Sequence, residues 1–410
     1  MLLVQKFLQE HSFTDLIKNH GVYASLSKDK KKISLNYDQI ETKDDDQLSW
    51  DCRGLILSKL DNKPFSLLND KLDLDCVPGA TRIIAFGMKR FFNFGQGSAT
   101  INWSDPNLSV LDKLDGTLTQ LYYDVNTIEW CVSTRSVPDA DLLMDNGIFT
   151  FRTLFEKALF DTVGLSFTDY TAQLNPEITY CFELTTPYNR IVVYYPNCRI
   201  TLIAARHIKY IDNKLVSFNE LDISSLESYG VPKVKSHTFI TAAQLIDWVG
   251  SFNPMEQEGV VLLDGQFNRI KVKNPGYVAY NKLNDRLGAS ERNCVELILL
   301  EKDDDVIGML PEEIAKNLIK LKLGIQKMIR KYDDFYQLVK SKADLTMPGD
   351  KKTFALLINQ NKDLWSAPLF QMYDQKVSDM LDFIKKNCQD GTWGNNFLDK
   401  VLECAKKENC

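Results

Sequence analysis

Histidine is scarce in this chain, and its cysteines form no pattern. Only four histidines occur in 410 residues, and His11, His20, His207 and His237 lie far apart with none in an H-E-x-x-H frame. The nine cysteines include no C-x-x-C pair, and Cys181 sits inside an alternating strand pattern as a small apolar residue would. Zinc-finger chemistry, histidine-based metal catalysis and a disulfide framework are therefore unsupported. The chain also has no run of about 20 apolar residues, the length a membrane-spanning helix needs, so no membrane association is expected. Its opening residues, Met1-Leu2-Leu3-Val4-Gln5-Lys6, lack the charged-then-apolar order of a secretory signal. A cytoplasmic location, the host cytoplasm for a viral protein, is the expectation. A net charge of −6 excludes a surface coated in nucleic acid, but it leaves room for a local basic cleft. No internal repeat or low-complexity segment is evident.

What is present divides into two textures. From about Ile33 to Tyr280, short alternating runs separated by turn residues predict strands at Leu118–Tyr123, Ile128–Ser133, Thr179–Leu184 and Arg190–Tyr195. Two hairpins are expected, one turning at Pro196-Asn197 and one at Asp264-Gly265. The stretches Phe149–Phe160 and Ala242–Val249 carry helical patterns. Further on, Pro311-Glu312-Glu313 suits the first turn of a helix. Ile314, Leu318, Leu321, Ile325, Met328, Tyr332, Phe335 and Val339 then recur at steps of four and three, one apolar face of a long helix. A break at Met347-Pro348-Gly349 precedes further helical segments around Thr353–Leu357 and Val377–Ile384. The expectation is a strand-rich domain over residues 1–285 and an all-helical C-terminal domain over residues 286–410.

The sharpest local signal is Lys113-Leu114-Asp115-Gly116-Thr117, set between two strand-like runs. Alone, K-x-D-G-[ST] is short enough to be a surface turn. It gains weight from three elements further along the chain, in this order: Glu183 in Cys181-Phe182-Glu183-Leu184, Glu258-Gly259-Val260-Val261, and Lys271-Val272-Lys273. Strand alternation puts Lys271 and Lys273 on one face and Ile270 and Val272 on the other, so two ammonium groups share a face suited to phosphate. A lysine with the ordinary pKa of about 10.4 is a poor nucleophile unless neighbouring cations or burial disfavour its charged form. Lys271, Lys273 and Arg53 are the cations available to do this. They would also neutralise phosphate charge in a transition state.

These motifs resemble the covalent nucleotidyltransferase superfamily of polynucleotide ligases and RNA capping enzymes, and more closely the phage-type ATP-dependent RNA ligases (bacteriophage T4 RNA ligase 1-like). Asp51-Cys52-Arg53-Gly54-Leu55-Ile56 resembles that family's C-R-G element and Met88-Lys89-Arg90-Phe91-Phe92-Asn93-Phe94 its K-F-F-N element. Pro187-Tyr188-Asn189-Arg190-Ile191-Val192 comes after Glu183 as the family's P-x-N-R-I-V does, and Lys351-Lys352-Thr353-Phe354-Ala355 resembles a segment of its helical domain. There are departures. Arg90 stands in place of the usual lysine, and Ser133-Thr134-Arg135-Ser136 has Thr134 and Arg135 where the family has lysine and glycine.

The resemblance implies an α+β fold: a nucleotidyltransferase (ATP-grasp-like ligase) domain of antiparallel sheets with flanking helices, plus the helical domain. It implies an ATP-dependent RNA ligase that joins 3′-hydroxyl and 5′-phosphate ends through lysyl-AMP and RNA-adenylate intermediates. Lys113 would be the adenylylated lysine, Glu183 a ribose contact, and Arg53, Arg90, Lys271 and Lys273 phosphate contacts, with Glu258 near the metal and Lys113. Tyr277 would lie near the active site, with Tyr37 near a tyrosine that contacts ATP. Asp304, in the run Asp303, Asp304 and Asp305, would touch Mg2+ or Mn2+. The partners implied are single-stranded RNA ends, among them a cleaved tRNA anticodon loop, and a monomer is expected. Two alternatives stay open. One is a DNA ligase or capping-type nucleotidyltransferase, which generally carries a β-barrel after the K-x-K element. The other is a catalytically silent RNA-binding protein on the same fold.

Overall fold

The computed structural model describes residues 1–38, 41–141, 143–144, 147–238, 241–283, 290–301, 303, 307, 312–346, 350–361, 364–388 and 393–408. They form two compact units, Met1–Asn274 and Pro275–Cys410. The division falls ahead of the boundary near residue 285 that the change of texture suggests.

Three main sheets build the first unit. The first has the order β1-β2-β3-β6, with β1 Val22–Leu26, β2 Lys32–Tyr37, β3 Arg53–Lys59 and β6 Thr81–Ala85, all antiparallel. A small ribbon, β4 Leu67–Leu68 with β5 Lys71–Leu72, sits between β3 and β6 in sequence. Helices α1 Leu3–Phe7 and α2 Phe13–His20 precede this sheet, and α3 Gln47–Trp50 lies between β2 and β3. Ser12 caps α2 by accepting from the Asp15 N–H, and Gly21 ends it in the left-handed conformation. Phe13 and Leu16 of α2 pack with Val22, Leu35 and Leu55.

The second sheet has the order β10-β9-β11-β12-β13, built from β9 Thr117–Asp124, β10 Glu129–Thr134, β11 Ile178–Thr185, β12 Arg199–Ile211 and β13 Lys214–Leu221. Helix α4, Phe151–Val163, lays Leu154, Phe155, Ala158 and Leu159 against Leu121, Phe182 and Ile200 of this sheet. The short α5 Phe167–Thr171 comes next. The third sheet has the order β14-β8-β15-β16-β7, with β7 Phe92–Asn93, β8 Ser109–Lys113, β14 Ser236–His237, β15 Gly259–Leu263 and β16 Arg269–Lys273. Its β16–β7 pair is parallel, while β8, β14, β15 and β16 pair antiparallel. Helix α6, Ala242–Gly250, covers one face with Leu245 and Val249, against Val110, Val260, Leu262, Ile270 and Val272. That packing buries the apolar half of the Ile270–Lys273 alternation and leaves Lys271 and Lys273 on the other face.

One expected hairpin does not form. Arg190–Tyr195 is no strand, and β12 begins only at Arg199. The backbone N–H groups of Val192 and Val193 donate to the Asp115 carboxylate, at 2.8 and 2.7 Å, instead of to a strand ladder. The hairpin that β12 does make is with β13, turning at Asp212 and Asn213, both at positive φ.

The described residues of the second unit carry helices only: α7 Pro275–Leu283, α8 Ser290–Leu299, α9 Glu312–Thr346, α10 Lys351–Asn359, α11 Ser366–Tyr373, α12 Met380–Lys386 and α13 Asn395–Lys407. Along α9, Leu318, Leu321, Ile325, Met328, Tyr332 and Val339 are buried, with Phe335 partly so, against Val401 and Cys404 of α13 and Phe354 of α10. Pro311, the side chain of Ile314 and the break at Met347-Pro348-Gly349 lie outside the described residues. No described helix is long and apolar enough to cross a membrane.

Gly259 holds the third sheet's register together. It stands opposite Lys113 on one neighbouring strand and Lys273 on the other. Its φ is +149°, and a Cβ there would come within 2.2 Å of the Val272 carbonyl oxygen and 2.8 Å of Lys273 Cα. Gly259→Ala is therefore expected to cost at least about 2 kcal/mol in denaturant unfolding. An alanine variant as stable as the parent would show that β15 and β16 are not this close.

Candidate active site

Lys113 ends β8, and the chain then leaves the third sheet through Leu114-Asp115-Gly116 to enter the second sheet as β9. The lysine thus sits where two sheets meet. The turn is clamped from below: Asp115 is buried and accepts from Val192 and Val193, its own N–H donates to the Tyr195 hydroxyl at 3.2 Å, and Asn189 donates to the Thr117 hydroxyl at 2.8 Å. Gly116 approaches β11 so closely that a Cβ would lie 2.4 Å from the Leu184 carbonyl oxygen. Its N–H donates to Glu183 Oε1 at 3.1 Å.

Because Gly259 pairs with both flanking strands, the Glu258 carboxylate just before it reaches the ammonium groups on either side. Lys113 Nζ donates to Glu258 Oε2 at 2.6 Å, and Lys273 Nζ lies 2.7 Å from Oε1. Glu258 is almost wholly buried, at 3% side-chain exposure, whereas Lys113 keeps 21%. The shared carboxylate is thus inside and the lysine faces the opening. Lys271 projects on the same face as Lys273 and lies over the Phe91 ring at 5.1 Å, as does the Arg53 guanidinium from β3. One buried terminal nitrogen of the half-buried Arg53 has no hydrogen-bond partner among the described residues.

Burial lowers the pKa of Arg53, and burial and crowding move two further groups to near neutrality. Lys271 is pushed down to about 7, first by burial and then by the neighbouring charges of Arg53, Lys113 and Lys273. Burial lifts Glu183 to about 7 against the pull of Lys113 and Arg53.

Two connected spaces open beside Lys113, and Arg53, Lys113 and Glu183 line both. One is a polar cleft of about 460 Å³ that adds Thr117, Thr134, Arg135 and Ser136. The other is a narrow slot of about 60 Å³ with apolar walls from Met88, Leu111, Ile203, Val234 and Val261. The cleft suits phosphates and a ribose, and the slot suits a flat ring.

Lys113, Glu183, Glu258, Lys271, Lys273 and Arg53 are thus brought together. Arg90 is not: its guanidinium donates to Asp44 Oδ1 at 2.7 Å, stacks over Tyr37 and Phe92, and lines a different cleft. Arg135 reaches the Tyr37 ring from the other side, at 5.6 Å, and it is Arg135 that lines the Lys113 cleft. Tyr277 belongs to α7 of the second unit and is buried. Asp304 lies outside the described residues, while Asp303 beside it is buried and paired with Lys322 at 2.7 Å. Sequence reasoning passed over Phe91, Asn189 and Tyr195 as working parts. Among the described residues no group of three or more His, Cys, Asp or Glu could hold a metal. Glu183 and Glu258 are carboxylates beside Lys113, and the two Glu258 oxygens pair with Lys113 and Lys273.

The two groups moved to near neutrality set a pH dependence of stability. Glu183 titrates above its ordinary value of 4.5, so the folded state loses stability as pH rises from there to about 7. Lys271 titrates below the ordinary 10.5, so its penalty is full below about 7 and fades as pH rises toward the ordinary lysine range. Both penalties coincide near neutrality. Lys271→Met is expected to raise the melting temperature of the ligand-free protein at pH 7, and by less at pH 10. An unchanged or lowered melting temperature at pH 7 would argue that burying this ammonium carries no penalty.

Comparison with known proteins agrees with this geometry. The sequence profile of the RNA ligase family, T4 type, matches residues 51–277, more than half of the chain. A candidate bifunctional polynucleotide kinase/RNA ligase of Autographa californica nuclear polyhedrosis virus is 25% identical over 328 residues, covering 74% of this chain and 42% of that protein. An RNA ligase of Rhodothermus phage RM378 is 22% identical over 321 residues, covering 66% of this chain and 68% of that protein. Among solved structures, an archaeal ATP-dependent RNA ligase is 15% identical with a TM-score of 0.42, over 77% of each chain. The profile match spans every residue of the Lys113 cluster, and this chain belongs to the RNA ligase family.

Proposed function

We propose that this protein is an ATP-dependent RNA ligase that seals RNA 3′-hydroxyl and 5′-phosphate ends, with Lys113 as the nucleophile. The observation that carries it is the Glu258 carboxylate held between Lys113 and Lys273. A lysine must lose a proton before it can attack. Glu258, 2.6 Å from Nζ, is in place to take it.

In the first step one Lys113 ammonium proton passes to Glu258, the Nζ–Pα bond forms, the bond from Pα to the pyrophosphate oxygen breaks, and a second Nζ proton leaves with pyrophosphate. Lys271, Lys273 and the orphaned Arg53 nitrogen then face the departing phosphates. Glu183, beside Gly116, is placed to hold a ribose hydroxyl, and the slot between Ile203 and Val261 takes the base. A divalent ion held by phosphate oxygens and these carboxylates would supply further neutralisation of charge. AMP next passes to an RNA 5′-phosphate, and a 3′-hydroxyl displaces it as the strand is sealed. Helices rather than a β-barrel come after Lys273 among the described residues, which favours this reading over a DNA ligase or capping enzyme. We read the first unit as the adenylyltransferase domain and the helical unit as the part that selects RNA.

Incubation with radiolabelled ATP tests the first step. Lys113→Ala should abolish labelling of the protein yet still seal RNA already adenylylated at its 5′ end, because that substrate bypasses the lysine. Lys271→Ala and Lys273→Ala should each lose labelling by roughly ten- to a hundredfold, the scale of one charge-assisted hydrogen bond to phosphate, while remaining folded. A Lys113→Ala protein that still takes label from ATP would sink the assignment. So would labelling that is absent in the parent protein.

A further inference from the structure

A cleft of about 510 Å³ in the first unit is lined by none of Lys113, Glu183, Glu258, Lys271 or Lys273. It adjoins the apolar slot, because Phe91 and Arg269 line both. Its wall contains a buried charge network. Arg206 Nη2 donates to Glu220 Oε2 at 2.9 Å, and Arg269 Nη2 donates to the other oxygen of the same carboxylate. Side-chain exposures are 8% for Arg206, 6% for Arg269 and 4% for Glu220. The Arg206 guanidinium also lies over Phe86 and Phe218, at 5.0 and 4.7 Å, and its Nε donates to the Gly87 carbonyl.

The charges here do not cancel. Buried Asp51 lies 3.9 Å from Lys89, whose side chain is 60% exposed at the mouth of the cleft. Arg206, Arg269 and Lys89 against Glu220 and Asp51 make three positive and two negative charges, a surplus of one. Arg90 and Asp44 balance one another. The buried members, Arg206 and Arg269 with Glu220 and Asp51, balance, so the surplus is the exposed Lys89 ammonium at the mouth, where an anion can reach it, within a chain of net charge −6. Arg269 commits two of its five N–H donors, to the Phe267 carbonyl and to Glu220. Asn219 and Gln266 add amide groups to the lining.

The lining also contains a strained aromatic. Phe267 has φ +63°, a conformation that bulky residues rarely adopt, and it lines this cleft. Strain of this kind concentrates where a side chain has to be presented to a ligand. One surplus positive charge matches one phosphodiester, not a triphosphate. An aromatic ring beside it matches a base, which any nucleotide can stack.

We propose that this cleft docks one nucleotide of the RNA strand, with its phosphodiester on Arg269 and Lys89 and its base against Phe267. The proposal rests on the RNA ligase reading and adds a strand-binding subsite to it.

Phe267→Gly and Lys89→Ala test it in the full chain. Glycine relieves the positive φ, so the first variant should fold at least as well as the parent. Both variants should take label from ATP within about twofold of the parent. Each should bind a 5′-phosphorylated single-stranded oligoribonucleotide about tenfold more weakly by fluorescence anisotropy, and raise KM for sealing pre-adenylylated RNA to match. Lys89→Ala should also flatten the dependence of log affinity on log salt by about 0.7, one phosphate contact on a single strand. Parental oligonucleotide affinity in both variants would overturn the proposal. So would a parallel fall in ATP labelling, or displacement of the oligonucleotide by AMP alone at equal affinity, either of which would assign the cleft to the free nucleotide. The anisotropy needs no catalysis, so a parent protein that binds RNA but takes no label would refute the enzyme reading while leaving the subsite standing.

Discussion

The buried carboxylate of Glu258 sits between two ammonium groups that reach it from strands on either side, Lys113 at 2.6 Å and Lys273 at 2.7 Å. Much of the first unit is arranged to make that contact possible. Glu258 can meet both lysines only because Gly259 lets β15 run close between β8 and β16, in a conformation that side chains other than hydrogen resist. The apolar residues alternating with those lysines lie under α6, so the helix on the back of the sheet fixes which way the charges face. Packing on one side and chemistry on the other are two halves of a single strand pattern.

A second constraint comes from the way the chain crosses between sheets. Lys113 closes the third sheet and Thr117 opens the second, which leaves three residues to make the passage. Asp115 stabilises it by gathering the N–H groups of Val192 and Val193. That segment is thereby kept from forming a strand. The turn after Lys113 is consequently held by backbone hydrogen bonds from a distant stretch of chain, and its position depends on long-range pairing more than on local helix or strand preference.

Much of this was legible in the sequence, and the failures have physical causes. Alternation in Ile270–Lys273 predicted which face each lysine takes, and packing under α6 agrees. The four-and-three spacing from Leu318 to Val339 predicted the buried face of α9, because one helix face is a local property. Arg190–Tyr195 read as a strand since its residue types favour one, but a buried carboxylate competing for its amides is invisible to any local pattern. The role of Arg90 failed to show for a similar reason: its place in the element that resembles K-F-F-N implied a phosphate contact, yet Asp44 on a preceding loop takes its guanidinium. Phe91, which lies under both Arg53 and Lys271, carries no signature that separates a platform for cations from an ordinary core aromatic.

The pairing of Lys113 with Glu258 also bears on how the protein survives between reaction cycles. An ammonium group has no lone pair to offer, so a lysine kept in an ion pair is closed to the stray acyl phosphates, thioesters and aldehydes that modify free amines. The same contact that positions Lys113 also occupies its amine. On the proposed reading, an incoming polyphosphate would compete for Lys271, Lys273 and Arg53 and so loosen Lys273's hold on the shared carboxylate. Selectivity toward a nucleoside triphosphate would then begin before any base or ribose is recognised, in the requirement that the incoming reagent bring enough negative charge to free the amine.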